Sequence, residues 1–264
     1  MMKAMILAAG IATRLRPVSD TTPKALVQLG GTPMLQIVAE KLIRAGATEI
    51  VVNVHHHADQ MRAFIGSMRY PGVRFHISDE TSLLLDTGGG IKQARSWLDG
   101  REPFFVYNID ILSAIDLADL YRTHLASNAL ATLAVSDRPT TRFFLWDGDE
   151  LAGWAHSGTG ERILCREEQN HRTKEKESIQ RQQSQPYRRK AFTGIAAISP
   201  DIFDLMPQEP VFSIKDVYLR LAAEWPIRCY CHEHASWHDI GTPEKLAQAR
   251  RYVEDQQKKN ASAP

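Results

Sequence analysis

The sequence predicts an α/β fold: a Rossmann-like, mostly parallel mixed central sheet flanked by helices. Two observations carry that expectation. Short apolar runs of strand length, such as "AMILAA", "EIVVNV" and "PFFVYNID", recur through residues 1–112, with segments of helical spacing between them. Strands alternating with amphipathic helices are the pattern of a parallel sheet covered on both faces. In such sheets ligands bind beyond the carboxyl ends of the strands, so the loops that follow the strands hold the candidate site.

Taken in order, "AMILAA" reads as a buried strand. "MLQIVAEKLIRAG" places Leu35, Val38, Leu42 and Ala45 on one helical face and stops at Gly46. "EIVVNV" is a strand, "ADQMRAFIGSM" a helix, "VRFHIS" a strand, "GIKQARSWL" a helix and "PFFVYNID" a strand. "DLADLYRTHL" reads as a helix and "ALATLAVSD" as a strand. "RFFLWDGDELAGWA" reads as a hairpin turning at Asp147-Gly148, where glycine tolerates a positive φ. Residues 166–190 hold Ile179 and Tyr187 as their only large apolar side chains and are expected to form a long polar loop. "AFTGIAAIS" returns to strand, "IKDVYLRLAAE" is a helix and "IRCYCHEH" alternates as a strand. "PEKLAQARRYVEDQQ" is a helix opened by Pro243, and residues 258–264 are expected to fray.

Composition narrows the function classes. The 264 residues include 32 basic and 31 acidic side chains, a net charge of +1, which gives no reason to expect a nucleic-acid or membrane partner. There is no apolar run of the roughly eighteen residues that a membrane span needs. The strand starting at Lys3 leaves no room for a signal peptide. Three cysteines, Cys165, Cys229 and Cys231, do not resemble a disulfide framework and point to a reducing cytoplasm.

The chemistry concentrates in the stretch after the first strand. Small residues at Ala8, Ala9 and Gly10, preceded by Leu7 and followed by Ala12 and Thr13, allow backbone N–H groups to approach an anion closely. Arg14 adds a bidentate donor for phosphate oxygens and Lys24 a mobile point charge. The spacing is neither that of a Walker loop nor that of a dinucleotide fingerprint.

The stretch "LAAGIATRLRPVSDTTPKALVQLGGTPML" closely resembles the signature of the sugar-1-phosphate nucleotidyltransferases, the NDP-sugar pyrophosphorylases. Matches fall at Leu7–Gly10, Thr13–Leu15, Pro17, Pro23-Lys24, Leu26 and Gly31–Leu35. Ala12 stands where that family has its second loop glycine. Further resemblances follow in the family's order. "DTGGGI", from Asp86, is similar to the loop that takes the base. "VYNID" is similar to the strand end whose aspartate binds Mg²⁺, with Ile109 where glycine is usual. "FTGI" is similar to the stretch that touches the sugar, and "WHDIGTPEKL" to the segment holding the second Mg²⁺ ligand.

The resemblance implies the nucleotide-diphospho-sugar transferase fold in a single domain over 1–257, with an NTP-binding half at 1–112 and a sugar-phosphate half at 113–257. It implies nucleotidyl transfer from an NTP, UTP or GTP, to a sugar-1-phosphate. On that basis Arg14 and Lys24 are catalytic candidates and Asp110 and Asp239 are Mg²⁺ ligands. Leu7, Ala8, Ala9, Gly10, Ala12, Thr13, Glu80, Gly88, Gly89 and Asn108 are nucleotide contacts, and Thr193 and Gly194 are sugar contacts. Among members, N-acetylmuramate-1-phosphate uridylyltransferases and mannose-1-phosphate guanylyltransferases look most similar. Oligomeric state is not readable.

Two other readings stand beside this one. Ala12, Ile109 and the 166–190 loop motivate a nucleotide- or sugar-sensing relative without turnover. Cytidylyl transfer to a non-sugar phosphate such as phosphocholine would need an aromatic cage, for which Trp154 and Trp237 are the candidates. His55, His56 and His57 are expected to close a strand before a helix, because consecutive residues of an extended segment diverge. Cys229 and Cys231 should share one strand face and His232 and His234 the other, which does not suit zinc. "YRRK", Tyr187–Lys190, is expected to be a solvated loop end rather than a guide for an anionic acceptor.

Overall fold

The computed structural model describes residues 1–165, 187–233 and 235–261. The loop expected over 166–190 therefore lies outside the described residues except at its end, as do His234 and residues 262–264.

The first half runs β1 (Met2–Leu7), β2 (Gln28–Leu29), β3 (Thr32–Pro33), α1 (Met34–Arg44), β4 (Ala47–Val54), α2 (Ala58–Ser67), β5 (Arg74–Asp79), α3 (Asp86–Gln93), α4 (Arg95–Leu98) and β6 (Phe104–Asn108). The second half runs β7 (Ile111–Ser113), α5 (Leu117–Ser127), β8 (Ala131–Ser136), β9 (Arg142–Asp147), β10 (Glu150–His156), β11 (Arg162–Leu164), β12 (Arg188–Ile198), α6 (Ile214–Leu221), β13 (Ile227–Cys231), β14 (Trp237–Asp239) and α7 (Pro243–Ala261).

One sheet of ten strands spans both halves, in the order β11-β10-β13-β8-β12-β6-β1-β4-β5, with β9 pairing β10 and β12. The strands β5, β4, β1 and β6 are parallel, as the sequence rhythm requires. β12 runs antiparallel to both β6 and β8, and β10 antiparallel to β9, β11 and β13, so the second half is where the sheet becomes mixed. Alternation along β1 sends Ala4 and Ile6 to one core and Met5 to the other. The first core is closed by Val38, Leu42, Met61, Leu120 and Leu246 from α1, α2, α5 and α7. The second is closed by Ile91, Leu98 and Val217 from α3, α4 and α6. A sheet buried on both faces explains why its central strands read as unbroken apolar runs.

Three boundaries differ from the sequence expectation. α3 starts at Asp86, so the glycine triplet lies inside a helix rather than in a loop ahead of it. Three glycines are poor helix formers, but a Cβ on Gly89 would sit 2.1 Å from the Pro210 carbonyl and one on Gly88 2.4 Å from the Phe212 ring. Close packing against the 210–212 segment therefore outweighs propensity. β12 starts at Arg188, so "RRK" is strand, not loop: Arg188–Lys190 pair with Trp146–Phe144. Finally, α7 continues to Ala261 rather than fraying after 257. Gln257 fastens that last stretch through Nε2, which donates to the Gly30 carbonyl at 3.1 Å.

Candidate active site

The carboxyl ends of β1 and β6 lie side by side, with Leu7 in register with Asn108. Asp110 follows β6 directly. Asp239 reaches the same place from 129 residues away through a short ladder that sequence periodicity did not predict. β14 pairs antiparallel with β7, Asp239 opposite Ile111, and the Ile240 N–H donates to the Asp110 carbonyl at 2.9 Å. Gly241 shows how tightly the groups converge. A Cβ there would stand 3.2 Å from Asp239 Oδ1, 3.6 Å from Arg14 Nη2 and 4.0 Å from Asp110 Oδ2. Lysines neutralise both carboxylates: Lys24 Nζ is 2.9 Å from Asp110 Oδ2 and Lys245 Nζ 2.5 Å from Asp239 Oδ2.

Two cavities meet at this point and share Asn108 and Asp110. One, of about 420 Å³, is bounded by the opening loop at Leu7, Ala9 and Gly10, by Lys24, and across from them by Leu84, Thr87 and Val211. The other, of about 400 Å³, holds Arg14, Arg138, Arg142, Lys215 and Asp239 above walls of aromatic side chains. The first is apolar-walled and suits a base and ribose. The second is cationic and suits an anionic acceptor.

The sequence candidates divide. Arg14, Lys24, Asn108, Asp110 and Asp239 come together as expected. Gly10 has no heavy atom within 4 Å of its absent Cβ, so its backbone is open to a ligand. Leu7 lines the first cavity; Thr13 lies in a short 3₁₀ turn directly before Arg14. Ala12 adopts φ +56°, the left-handed region where the family's glycine is at ease. Ile109 keeps a negative φ and packs into the first core at 2% exposure, so the missing glycine there does not distort the strand end.

Four expectations need correction. The Ala8 and Ala9 N–H groups are not free for phosphate, because Asn53 Oδ1 accepts from both, at 2.6 and 3.3 Å. Glu80 is 1% exposed with both oxygens engaged: Oε1 accepts from Asn53 Nδ2 at 2.7 Å and Oε2 from the Leu85 N–H at 3.1 Å. It braces the opening loop from the wall of the first cavity, which it lines beside Asn53. Gly88 and Gly89 are buried and donate their N–H groups to the Phe212 carbonyl, at 2.9 and 3.2 Å, so they pack the cavity wall from behind. Thr193 is fully buried and its hydroxyl donates to the Ala134 carbonyl at 2.8 Å. Gly194, at φ +81°, makes the bulge in β12 that lets Asn108 and Ile111 approach within about 3.0 Å of its Cβ position. Asn53 was missed because an asparagine at a strand end carries no motif of its own.

Arg138 was missed as well. It lies between the carboxylates and the aromatic wall. Its Nη2 donates to the Phe192 carbonyl at 2.9 Å and its guanidinium stacks 4.2 Å over the Trp237 ring. Burial pulls its pKa below the usual arginine range, and the nearby Asp239 charge opposes that. On Trp154, Lys215 Nζ sits 4.4 Å from the ring centre. Both tryptophans thus line the second cavity, and each ring already carries one cation of the protein.

Among the described residues no group of three or more His, Cys, Asp or Glu gathers around one point. His55 and His57 instead contact the Glu80 and Ser19 carbonyls, at 2.7 and 3.1 Å. Lys190 is buried between Asp137 and Glu233, at 2.7 and 2.6 Å, and does not serve the cavity.

Comparison with known proteins gives concordant matches. Residues 3–147 match the family model described as nucleotidyl transferase. The N-acetylmuramate alpha-1-phosphate uridylyltransferase of Caulobacter vibrioides is 32% identical over 254 residues, 95% of this chain and 97% of that one. A probable mannose-1-phosphate guanylyltransferase of Oryza sativa subsp. japonica is 29% identical over 270 residues, 99% of this chain and 67% of that one. Among solved structures, the UDP-glucose pyrophosphorylase of Acinetobacter baumanii superposes with a TM-score of 0.74 at 14% identity, covering 96% of this chain and 93% of that one. HddC from Yersinia pseudotuberculosis, solved with GMP-PN, gives 0.70 at 20%, covering 96% and 99%.

Proposed function

This chain belongs to the nucleotidyl transferase family, and from that premise we propose that it transfers a nucleotidyl group from an NTP to a sugar-1-phosphate, releasing pyrophosphate and an NDP-sugar. The observation that carries the proposal is the meeting of an apolar-walled and a cationic cavity at Asp110, with Asp239 and Arg14 beside it. Uridylyl transfer is the reading we favour over guanylyl transfer, because a relative that spans nearly the whole of both chains is a uridylyltransferase.

In this reaction an oxygen of the sugar phosphate attacks the α-phosphorus of the NTP. One P–O bond forms, the bond to the bridging oxygen of the β-phosphate breaks, and pyrophosphate departs with that electron pair. No protein nucleophile is needed. The barrier is alignment and charge repulsion between two anions, which positioned cations lower. Gly10 offers its backbone to the phosphates. Arg14 holds the departing pyrophosphate, and Lys24 neutralises the α-phosphate and the incoming phosphate. Asn108, in the wall common to both cavities, orients the ribose or the sugar. Arg138 draws the acceptor phosphate toward the junction.

Asp110 and Asp239 fit a divalent cation. Both offer hard carboxylate oxygens within 4.0 Å of one point that a Cβ on Gly241 would fill, and Mg²⁺ commonly takes one or two carboxylates with phosphates and water. Bound there, Mg²⁺ would offset phosphate charge and orient the two phosphates. An odd, sparse set of three cysteines suits a reducing compartment, and on that ground we propose that the reaction takes place in the cytoplasm.

The test is pyrophosphate release across a matrix of common NTPs and sugar-1-phosphates with Mg²⁺. One NTP–sugar pair is expected to dominate, and Asp110→Asn to lower kcat/KM by about a hundredfold or more. Nucleotide binding without release from any pair would overturn the proposal and leave a sensing protein.

A further inference from the structure

We propose that Lys245 competes with the divalent cation for Asp239, at the cation site of the reaction proposed above, on which this inference rests. Lys245 thereby sets how much free cation the enzyme needs. The two lysines that meet the site carboxylates are not equivalent. Lys24 lines the first cavity and its side chain is 15% exposed, so its contact with Asp110 lies inside the substrate site. Lys245 lines neither cavity and its side chain is 50% exposed. Among the described residues its ammonium meets Asp239 alone. Lys24 therefore has phosphates to serve, whereas Lys245 has only the carboxylate.

The position of Lys245 is not one that its own helix favours. It lies in the first turn of α7, where its N–H donates to Thr242 Oγ1 at 3.4 Å. A helix N-terminus carries partial positive charge, which disfavours an ammonium. The side chain nevertheless places Nζ 2.5 Å from Asp239 Oδ2. Asp239 supplies the reason. Its Oδ1 and Asp110 Oδ2 lie 3.2 and 4.0 Å from one point, the Cβ position of Gly241. Carboxylates gathered this closely repel each other unless cations accompany them. Asp239 Oδ1 accepts from the Gly241 N–H at 2.9 Å, so with Lys245 on Oδ2 both of its oxygens are engaged. An ammonium held against that carboxylate repels a second cation brought to it. Lys245 and the divalent cation are therefore alternative partners of Asp239. Half exposure lets the lysine leave for water at small cost.

The experiment titrates Mn²⁺ into nucleotide-free enzyme freed of metal by EDTA and dialysis, and reads unbound Mn²⁺ by electron paramagnetic resonance. Lys245→Met should bind Mn²⁺ about fivefold more tightly than the wild type, the size of one half-exposed ion pair. Lys245→Gln should do the same, and Lys245→Arg, which keeps the charge, should stay near the wild type. In an Asp239→Asn background, Lys245→Met should give no gain. Thermal unfolding gives a second reading. The same Mn²⁺ concentration should raise the Tm of Lys245→Met by more than that of the wild type, because a tighter ligand stabilises more. The Mg²⁺ concentration for half-maximal pyrophosphate release should fall in the same variants. Equal or weaker Mn²⁺ binding in Lys245→Met and Lys245→Gln overturns the competition and leaves nucleotidyl transfer standing. A gain that persists in the Asp239→Asn background overturns Asp239 as the contested group. No Mn²⁺ binding by any of these proteins removes the cation site, and this inference with it. A fivefold gain beside no pyrophosphate release from any NTP–sugar pair upholds the competition and removes the reaction instead.

Discussion

Ala12 holds a left-handed backbone, φ +56° and ψ +38°, fixed by its carbonyl, which accepts from the Leu15 N–H and the Ser19 hydroxyl, both at 2.9 Å. A Cβ in that region costs roughly 1–2 kcal/mol. Ala12→Gly is therefore expected to raise stability by about 1 kcal/mol in urea unfolding, with pyrophosphate release at least maintained. A fall in the urea midpoint would sink this account. Asn53 acts in the opposite sense. Its amide joins the Ala8 and Ala9 N–H groups to buried Glu80, so Asn53→Ala strips two donors and one acceptor of their partner. The expected cost is roughly 1–3 kcal/mol, together with a raised KM for the NTP as the loop loses its shape. An unchanged KM in a folded variant would remove Asn53 from the site.

At the scale of elements, α3 and the 210–212 segment behave as one wall. The Gly88 and Gly89 N–H groups meet the Phe212 carbonyl, and the Ile214 N–H donates to Thr87 Oγ1 at 3.0 Å. Gly89→Ala puts a methyl 2.1 Å from a backbone oxygen, which no side-chain rotation relieves. It should destabilise by about 1–3 kcal/mol and weaken nucleotide binding in calorimetry, because Val211 is pushed from the cavity it lines. Wild-type nucleotide affinity in that variant would mean the wall yields without consequence. The β7–β14 ladder is the other decisive element. Three residues long on each strand, it sets Asp239 beside Asp110 together with the Ile240 N–H bond to the Asp110 carbonyl.

For the whole molecule, two histidines give stability a pH dependence. Burial holds His124 and His232 at pKa values of about 4, below the ordinary 6.5. Each remains neutral in the fold while the unfolded chain binds a proton. Stability is therefore full above about pH 6.5 and declines as pH falls toward 4. The urea midpoint should drop between pH 7 and pH 5, and His124→Gln should flatten that drop. An equal drop in the variant would assign it to other groups. Folding also makes the site from both halves of the chain. The opening loop, Asn108 and Asp110 come from the first half, and Arg138, Arg142, Lys215 and Asp239 from the second, Asp239 through the separate β7–β14 pair.

The sequence by itself determined the α/β class and the order of the main elements, and it named Arg14, Lys24, Asp110 and Asp239 as candidates that the fold then brings together. Periodicity and local motif residues are local properties, and both are written in consecutive positions. Only the tertiary structure decided which polar groups remain free. Glu80, Thr193 and the amides of Ala8, Ala9, Gly88 and Gly89 looked available in sequence and are consumed by Asn53, Leu85, Ala134 and Phe212. Those partners lie between 5 and 124 residues away, and which donor finds which acceptor is fixed by strand order and register. Arg138, Arg142 and Lys215 escaped notice for the same reason. A cation on a strand edge or helix start has no signature until folding turns three such cations toward one cavity.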